Sequence, residues 1–215
     1  MTTQTPAALF APARMERIAL PGGGCLLRSR EPLAPYAPRI TDWLWDWEKA
    51  APERPFLRER GPDGAWRGVG FGTAAAQVRA LGAALLARRL GPGRPLALLS
   101  GNSVRHALLA YAAQAVGVPC TAISTPYSLQ SGDLGKLRHI LRKLRPGLLF
   151  AEEATAFSRA LAVEEAQGIE LISVADWEAL LATPVTAATL AAIEGRGGSV
   201  SRYSVSVPLS GFPAG

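Results

Sequence analysis

Two cysteines and two histidines are all that this 215-residue chain offers toward soft-metal chemistry. Cys25 and Cys120 stand far apart without a CxxC or Cys/His neighbour, and His106 and His139 lack ligand spacing, which argues against a zinc site. Two free thiols in a reducing compartment fit this usage better than the alternative, a single disulfide, so the expected location is the cytoplasm. Lysine is scarce too: only Lys49, Lys136 and Lys143 occur, and none follows Lys143. The net charge of +6 comes mostly from arginines scattered among 17 acids. A nucleic-acid binder would gather its basic residues on one face with aromatics between them, so no nucleic-acid partner is expected. Long apolar runs are also missing. The most apolar window, Ala107 to Ile123, is interrupted by Gln114, Gly117 and Pro119, short of the roughly 20 residues a spanning helix needs. No membrane span is expected, and the N-terminus lacks the apolar stretch of a secretory leader.

What is present is globular in kind. The chain is 48% hydrophobic and 19% charged, enough for one sizeable core or two small ones. Residues 1–13 read as a flexible tail. ARMERIAL and CLLRSREP flank Pro21-Gly22-Gly23-Gly24, a hairpin signal. The triple glycine could also be read as a phosphate cradle, but no helix pattern follows it, and such cradles open a helix. Thr41 is placed to cap a helix whose Trp43, Leu44 and Trp47 give one apolar face for docking. Pro62-Asp63-Gly64 marks a second hairpin, and Thr73 starts a helix striped by Val78, Leu81 and Leu85.

The chain is organised around Arg94 to Ser128. Leu96 to Leu99 is all apolar, as in a strand buried on both faces. Ser100-Gly101-Asn102-Ser103 turns the chain and caps a helix with Val104, Ala107, Leu108, Tyr111, Ala112 and Ala115 at helical spacing. Gly117 closes it, and Val118 to Ile123 forms the next strand, with Pro119 tolerable only near its start. The pattern repeats: a helix over 133–145 striped by Leu134, Leu137, Leu141 and Leu144, a strand over 148–151, a helix over 155–167, a strand over 169–174, and a short helix in DWEALLA. Lys136, His139, Arg142, Lys143 and Arg145 occupy the other side of the first of these helices. A basic helix raises a nucleic-acid or membrane reading, against which stands a solvated outer face. The fold class is therefore α/β: a parallel sheet flanked by helices, with right-handed crossovers, preceded by β-hairpins. Asn102 and Ser103 are the best-placed polar groups, at a strand's C-terminal end where open α/β sheets bind ligands, although capping alone accounts for both. A dinucleotide site would need G-x-G-x-x-G where Ser100-Gly101-Asn102-Ser103 has one glycine, so an oxidoreductase is a poor fit.

These segments resemble the N-terminal part of the adenylate-forming (AMP-binding) acyl-CoA synthetases, and look most like the feruloyl-CoA synthetase type. The resemblance rests on LLRSREPLAPY, RITDWLWDWEKAAPERPFLRER, LLSGNSVRHALLAYAAQAVGVPCTAIS and TPYSLQSGDLGKLRHILRKLRPGLLFAEE, and covers roughly residues 9–190. It implies the first βα subdomain of the adenylate-forming fold over 14–192. The matching signature positions are Gly101, Asn102, Ser103, Gly117, Pro119, Pro126 and Tyr127, with Thr125 to Ser128 as a loop, and their expected role is structural. It further implies a two-step reaction in which an aromatic carboxylate attacks the α-phosphate of ATP and coenzyme A thiolate then displaces AMP. The full-length family would use ATP, Mg and coenzyme A.

The family's phosphate loop resembles Ser-Gly-x-Thr-Gly-x-Pro-Lys and is due soon after residue 190. Here the chain reads GRGGSVSRYSVSVPLSGFPAG, without a lysine and without an acid after Glu194. Residues 193–215 are thus expected to be a divergent tail, disordered or frameshifted, of a truncated copy. On this reading no residue of the chain is catalytic, none binds a cofactor or a metal, and the chain is inactive by itself. The alternative is a non-catalytic module that docks on another ligase chain through Trp43 and Trp47 or a sheet edge, with self-association through exposed apolar surface.

Overall fold

Glycines at positive φ make the turns that the sequence predicts. In the computed structural model, which describes residues 14–32 and 34–195, β1 (Met15–Ala19) and β2 (Cys25–Ser29) pair antiparallel from Met15↔Ser29 to Ala19↔Cys25. Gly22 and Gly23 take φ of 88° and 87° in the turn between them, a region open to glycine because it lacks Cβ. The triple glycine therefore closes a hairpin and opens no helix. The hairpin belongs to a unit of residues 1–37, and residues 38–215 form a second unit. The tails expected at 1–13 and 196–215 lie outside the described residues.

The second unit begins with α1 (Ile40–Ala50) and the hairpin of β3 (Pro55–Arg60) and β4 (Trp66–Gly70), followed by α2 (Phe71–Ala87). Then come β5 (Leu96–Leu99), α3 (Val104–Ala115), β6 (Cys120–Ala122), α4 (Thr125–Leu129) and α5 (Gly135–Leu144). The last elements are β7 (Leu148–Ala151), α6 (Ser158–Leu161), β8 (Glu170–Ser173), α7 (Trp177–Leu181) and α8 (Ala187–Gly195). The four strands β6-β5-β7-β8 form one parallel sheet in that order.

Strand alternation explains why β5 and β7 are apolar throughout. Leu96, Leu98, Leu148 and Phe150 point to one core, with Leu81, Leu85, Leu108 and Trp177. Ala97, Leu99, Leu149 and Ala151 point to the other, with Leu137, Leu141 and Phe157. Successive side chains leave opposite faces of a strand, so a strand with helices on both faces has no solvated position.

Several local expectations are corrected. Arg39, not Thr41, precedes α1. The Asp42 carboxylate accepts from the Arg39 backbone N–H at 3.1 Å and from its guanidinium at 2.8 Å. Thr41 lies inside the helix and is buried with Leu44, and Trp45 packs on the same core. Trp43 and Trp47, expected to dock, are 57% and 38% exposed, because the burying face runs through 41, 44 and 45. Helix α2 starts at Phe71, two residues before Thr73, capped by Gly70. Thr125 to Ser128 is a short helix rather than a loop, with Pro126 in its first turn, where a missing N–H costs nothing. The helix expected over 155–167 is broken into α6 and a separate turn over Glu164–Ala166. Helix α8 runs through the expected boundary at 192/193, and Ile193 is buried.

Candidate functional site

In the sheet, the chain leaves β5 for α3 on one face and leaves the neighbouring β7 for α6 on the other, as the two separate cores record. This is a topological switch point, and open α/β sheets place ligands outside the carboxyl ends of strands there. The polar groups at this point come from the Ser100 to Ser103 turn and from Glu152, directly after β7. The Glu152 N–H donates to the Leu99 carbonyl at 3.3 Å.

The turn is held from within. Ser103 Oγ accepts the His106 backbone N–H at 3.1 Å and so caps α3, as serine does at this position. Ser100 Oγ lies 2.6 Å from His106 Nδ1. Burial lowers the His106 pKa, opposed by the negative charge of Glu152 and by the Gly101 carbonyl. Ser100 is buried, while Gly101 and Asn102 are exposed.

The N-terminus of α3 is the natural anion site of this end of the sheet, since unpaired N–H groups and the helix dipole both favour negative charge. It is already filled: Glu59, from β3, accepts the Val104 N–H at 2.7 Å. With Glu59 on the helix and Glu152 beside His106, the turn carries two carboxylates. The residues here do not fit ATP with its metal. Among the described residues no cluster of three or more His, Cys, Asp or Glu is arranged for a metal ion, and no helix is long and apolar enough to cross a membrane.

The seven signature positions divide between the two ends of the sheet. Gly101, Asn102 and Ser103 follow β5, and Pro126 and Tyr127 follow the adjacent β6, so these five gather at the carboxyl ends. Tyr127 packs on the second core and faces the Lys136 ammonium, 4.9 Å from its ring centroid. Gly117 and Pro119 lie at the opposite end. Gly117 closes α3 at φ 71°, and the Pro119 carbonyl accepts from the Leu96 N–H at 2.9 Å. The sequence did not point to Glu59 or Glu152. A carboxylate immediately after an apolar strand was the available signal for Glu152, whereas Glu59 comes from a hairpin 45 residues away and left none.

The model of the family described as AMP-binding enzyme matches residues 44–195. No curated protein matches the chain. Among solved structures, VinN with L-aspartate is 18% identical over 76% of this chain and 40% of its own, with a TM-score of 0.54. A fatty acyl-adenylate ligase from L. pneumophila, in complex with acyl adenylate and pyrophosphate, is 14% identical over 69% of this chain and 24% of its own, with a TM-score of 0.54. The N-terminal domain of FACL13 from Mycobacterium tuberculosis is 19% identical over 69% of this chain and 38% of its own, with a TM-score of 0.53. At these identities the likeness is one of fold, and the chain spans well under half the length of each of these structures.

Proposed function

The chain belongs to the AMP-binding enzyme family, and on that premise we propose that it supplies the first sheet and helices of an adenylate-forming acid–CoA ligase for an aromatic carboxylate. We propose also that these residues alone do not form the adenylate. The family match over 44–195 carries the first part. The aromatic acid is supported by the likeness of the quoted segments to the feruloyl-CoA synthetase type. For inactivity the supporting observation is that the stretch where the family's phosphate loop is due reads GRGGSVSRYS, without its Gly-x-Pro-Lys. An anionic acid must approach an anionic phosphate, and removing even one stabilising donor of such a step costs about 10²–10³ in rate.

Two measurements test the reading. Purified chain with ATP, magnesium, ferulate and coenzyme A should release AMP no faster than buffer, and ferulate-dependent release above background would remove the claim of inactivity. Residues 14–195 grafted in place of the matching segment of a feruloyl-CoA synthetase should keep ferulate-dependent AMP release. The same graft into a fatty acyl-adenylate ligase should not keep activity. Loss in both chimeras, with both proteins folded, would count against the proposed role of the segment.

A further inference from the structure

The helices that lead into the two central strands both end in cations. Helix α2 gives way to Arg88 and Arg89 ahead of β5, and α5 closes with Arg142, Lys143 and Arg145 ahead of β7. Arg94 joins them from the tight turn in which Gly91 and Arg94 exchange backbone hydrogen bonds of 3.2 and 2.9 Å. Leu96 pairs with Leu148 across β5 and β7, so these residues gather at the amino ends of the strands, away from the Ser100 to Ser103 turn. Gly147 shows how close they come. A Cβ there would meet Arg94 Cβ at 2.9 Å, Arg94 Nε at 3.1 Å and Leu90 Cδ2 at 3.0 Å. The Arg94 side chain thus lies across the entry to β7, beside the segment that carries Arg145, and Leu90 holds the neighbouring Arg89 to the same end.

The acids at this end are already taken. Glu170 accepts from Arg88 at 2.7 Å, and Glu165 is shared by Arg138 at 3.0 Å and Arg142 at 3.6 Å. Arg89, Arg94, Lys143 and Arg145 are exposed, and among the described residues they enter no ion pair. Helix dipoles favour cations at helix C-termini, which suits Arg89, Lys143 and Arg145 but gives Arg94 no reason to lean toward them. Like charges set together repel, and the arrangement becomes favourable when an anion of several charges spans it. Three of the four are arginines, whose planar fork matches a carboxylate in bidentate fashion. No aromatic side chain stands among residues 88–95 or 142–147 to stack on the bases of a single strand. No large apolar side chain is exposed there either, as entry into a lipid surface would require.

We propose that Arg89, Arg94 and Arg145, with Lys143 beside them, form a docking surface for an acidic polypeptide segment of a partner protein. Carboxylates of that segment pair with the three guanidinium forks and relieve their mutual repulsion. The proposal is independent of the ligase reading, because it uses the end of the sheet opposite the Ser100 to Ser103 turn. Such a contact is electrostatic and is therefore weakened by salt.

Fluorescence anisotropy of a labelled octaglutamate peptide with the full chain tests the surface. Binding is expected at about 50 mM salt and should weaken steeply by about 300 mM. One triple variant carries Arg89→Asn, Arg94→Gln and Arg145→Asn, asparagine being chosen where φ is positive because it tolerates that region. It should bind about tenfold more weakly, as expected when several charge-assisted contacts are lost. A second triple variant, Arg17→Gln, Arg30→Gln and Arg58→Gln, removes the same charge from other exposed positions and should bind as the parent does. Equal losses in the two variants, or no binding by the parent, overturns the proposal. So does tighter binding of a thymidine oligonucleotide or of phosphatidylserine vesicles through the same three arginines, since the partner is then of another class. The unsubstituted chain gives a second reading: backbone amide signals of residues 89–94 and 143–147 should shift on adding octaglutamate. Shifts confined to other residues overturn the proposal whether or not the variants fold.

Discussion

Glu59 and Val104 meet at 2.7 Å, a carboxylate of the β3–β4 hairpin accepting the first N–H of α3. Ser103 caps the same helix through the His106 N–H. The hairpin is thus tied to the central strand–turn–helix unit by a charge-assisted bond at a helix N-terminus, where a negative charge is stabilised by the dipole.

Removing that carboxylate should loosen the helix start. Glu59→Ala is expected to lower stability by about 1 kcal/mol, the usual worth of a lost cap. Glu59→Gln keeps an acceptor and should lose less. Urea unfolding of the three proteins measures both, and equal midpoints for the parent and the alanine variant would contradict the assignment.

His106 gives the fold a pH dependence of known sign. Burial holds its pKa below the ordinary imidazole value, with Glu152 and the Gly101 carbonyl partly opposing. The folded state therefore binds the proton less readily than the unfolded chain. Stability is retained above the unfolded value of roughly 6.5 and falls as pH drops through it toward the lower folded value. Urea midpoints at pH 7.5 and pH 5.5 should differ in the parent, and the difference should shrink in His106→Gln. The lowered carboxyl pKa values of Asp63, Asp133 and Glu165 act in more acidic solution, so they do not mask this window.

Gly82 lies where α2 crosses the end of α3. A Cβ at this position would meet Val116 Cγ1 at 2.8 Å, and Val116 is fully buried. Gly82→Ala should cost about 1–3 kcal/mol from overpacking, despite a helix-propensity gain of about 1 kcal/mol. In a Val116→Ala background the same change should become neutral or stabilising. A double-mutant cycle read by chemical denaturation decides it: additive losses would mean that the two residues do not touch.

The thiols should react differently. Cys25 is exposed on β2, whereas burial pushes the Cys120 pKa up to about 12. Because the thiolate is the reacting form, Ellman's reagent at neutral pH should titrate one thiol in the folded chain and both in denaturant. Two fast-reacting thiols without denaturant would contradict the raised pKa of Cys120.

Periodicity and punctuation made much of this fold legible. The apolar run of Leu96 to Leu99 announced a strand covered on both faces, and Gly22, Gly23 and Gly64 announced hairpin turns, because each rests on chemistry confined to a few neighbouring residues. The misreadings arose where neighbours were remote. Thr41 looked like a cap because a β-branched hydroxyl at a helix start usually is one, yet Arg39 and Asp42 close that end instead. Trp43 and Trp47 looked like a docking face because aromatic residues outweigh a threonine in any apolar count. The helix turned Thr41, Leu44 and Trp45 inward, since α2 and α3 lie on that side.

The sequence by itself determined the alternation of strands and helices, the family likeness over most of the chain, and the Ser100 to Ser103 turn after β5. Those follow from side-chain periods and backbone preferences that act within one or two turns of chain. Only the tertiary structure decided what that turn faces. It brought Glu152 beside His106 and carried Glu59 onto the Val104 N–H, and so set two carboxylates at that turn. No local pattern reveals such a choice, because the groups that make it are distant in the chain and meet only once the sheet and the hairpin are packed.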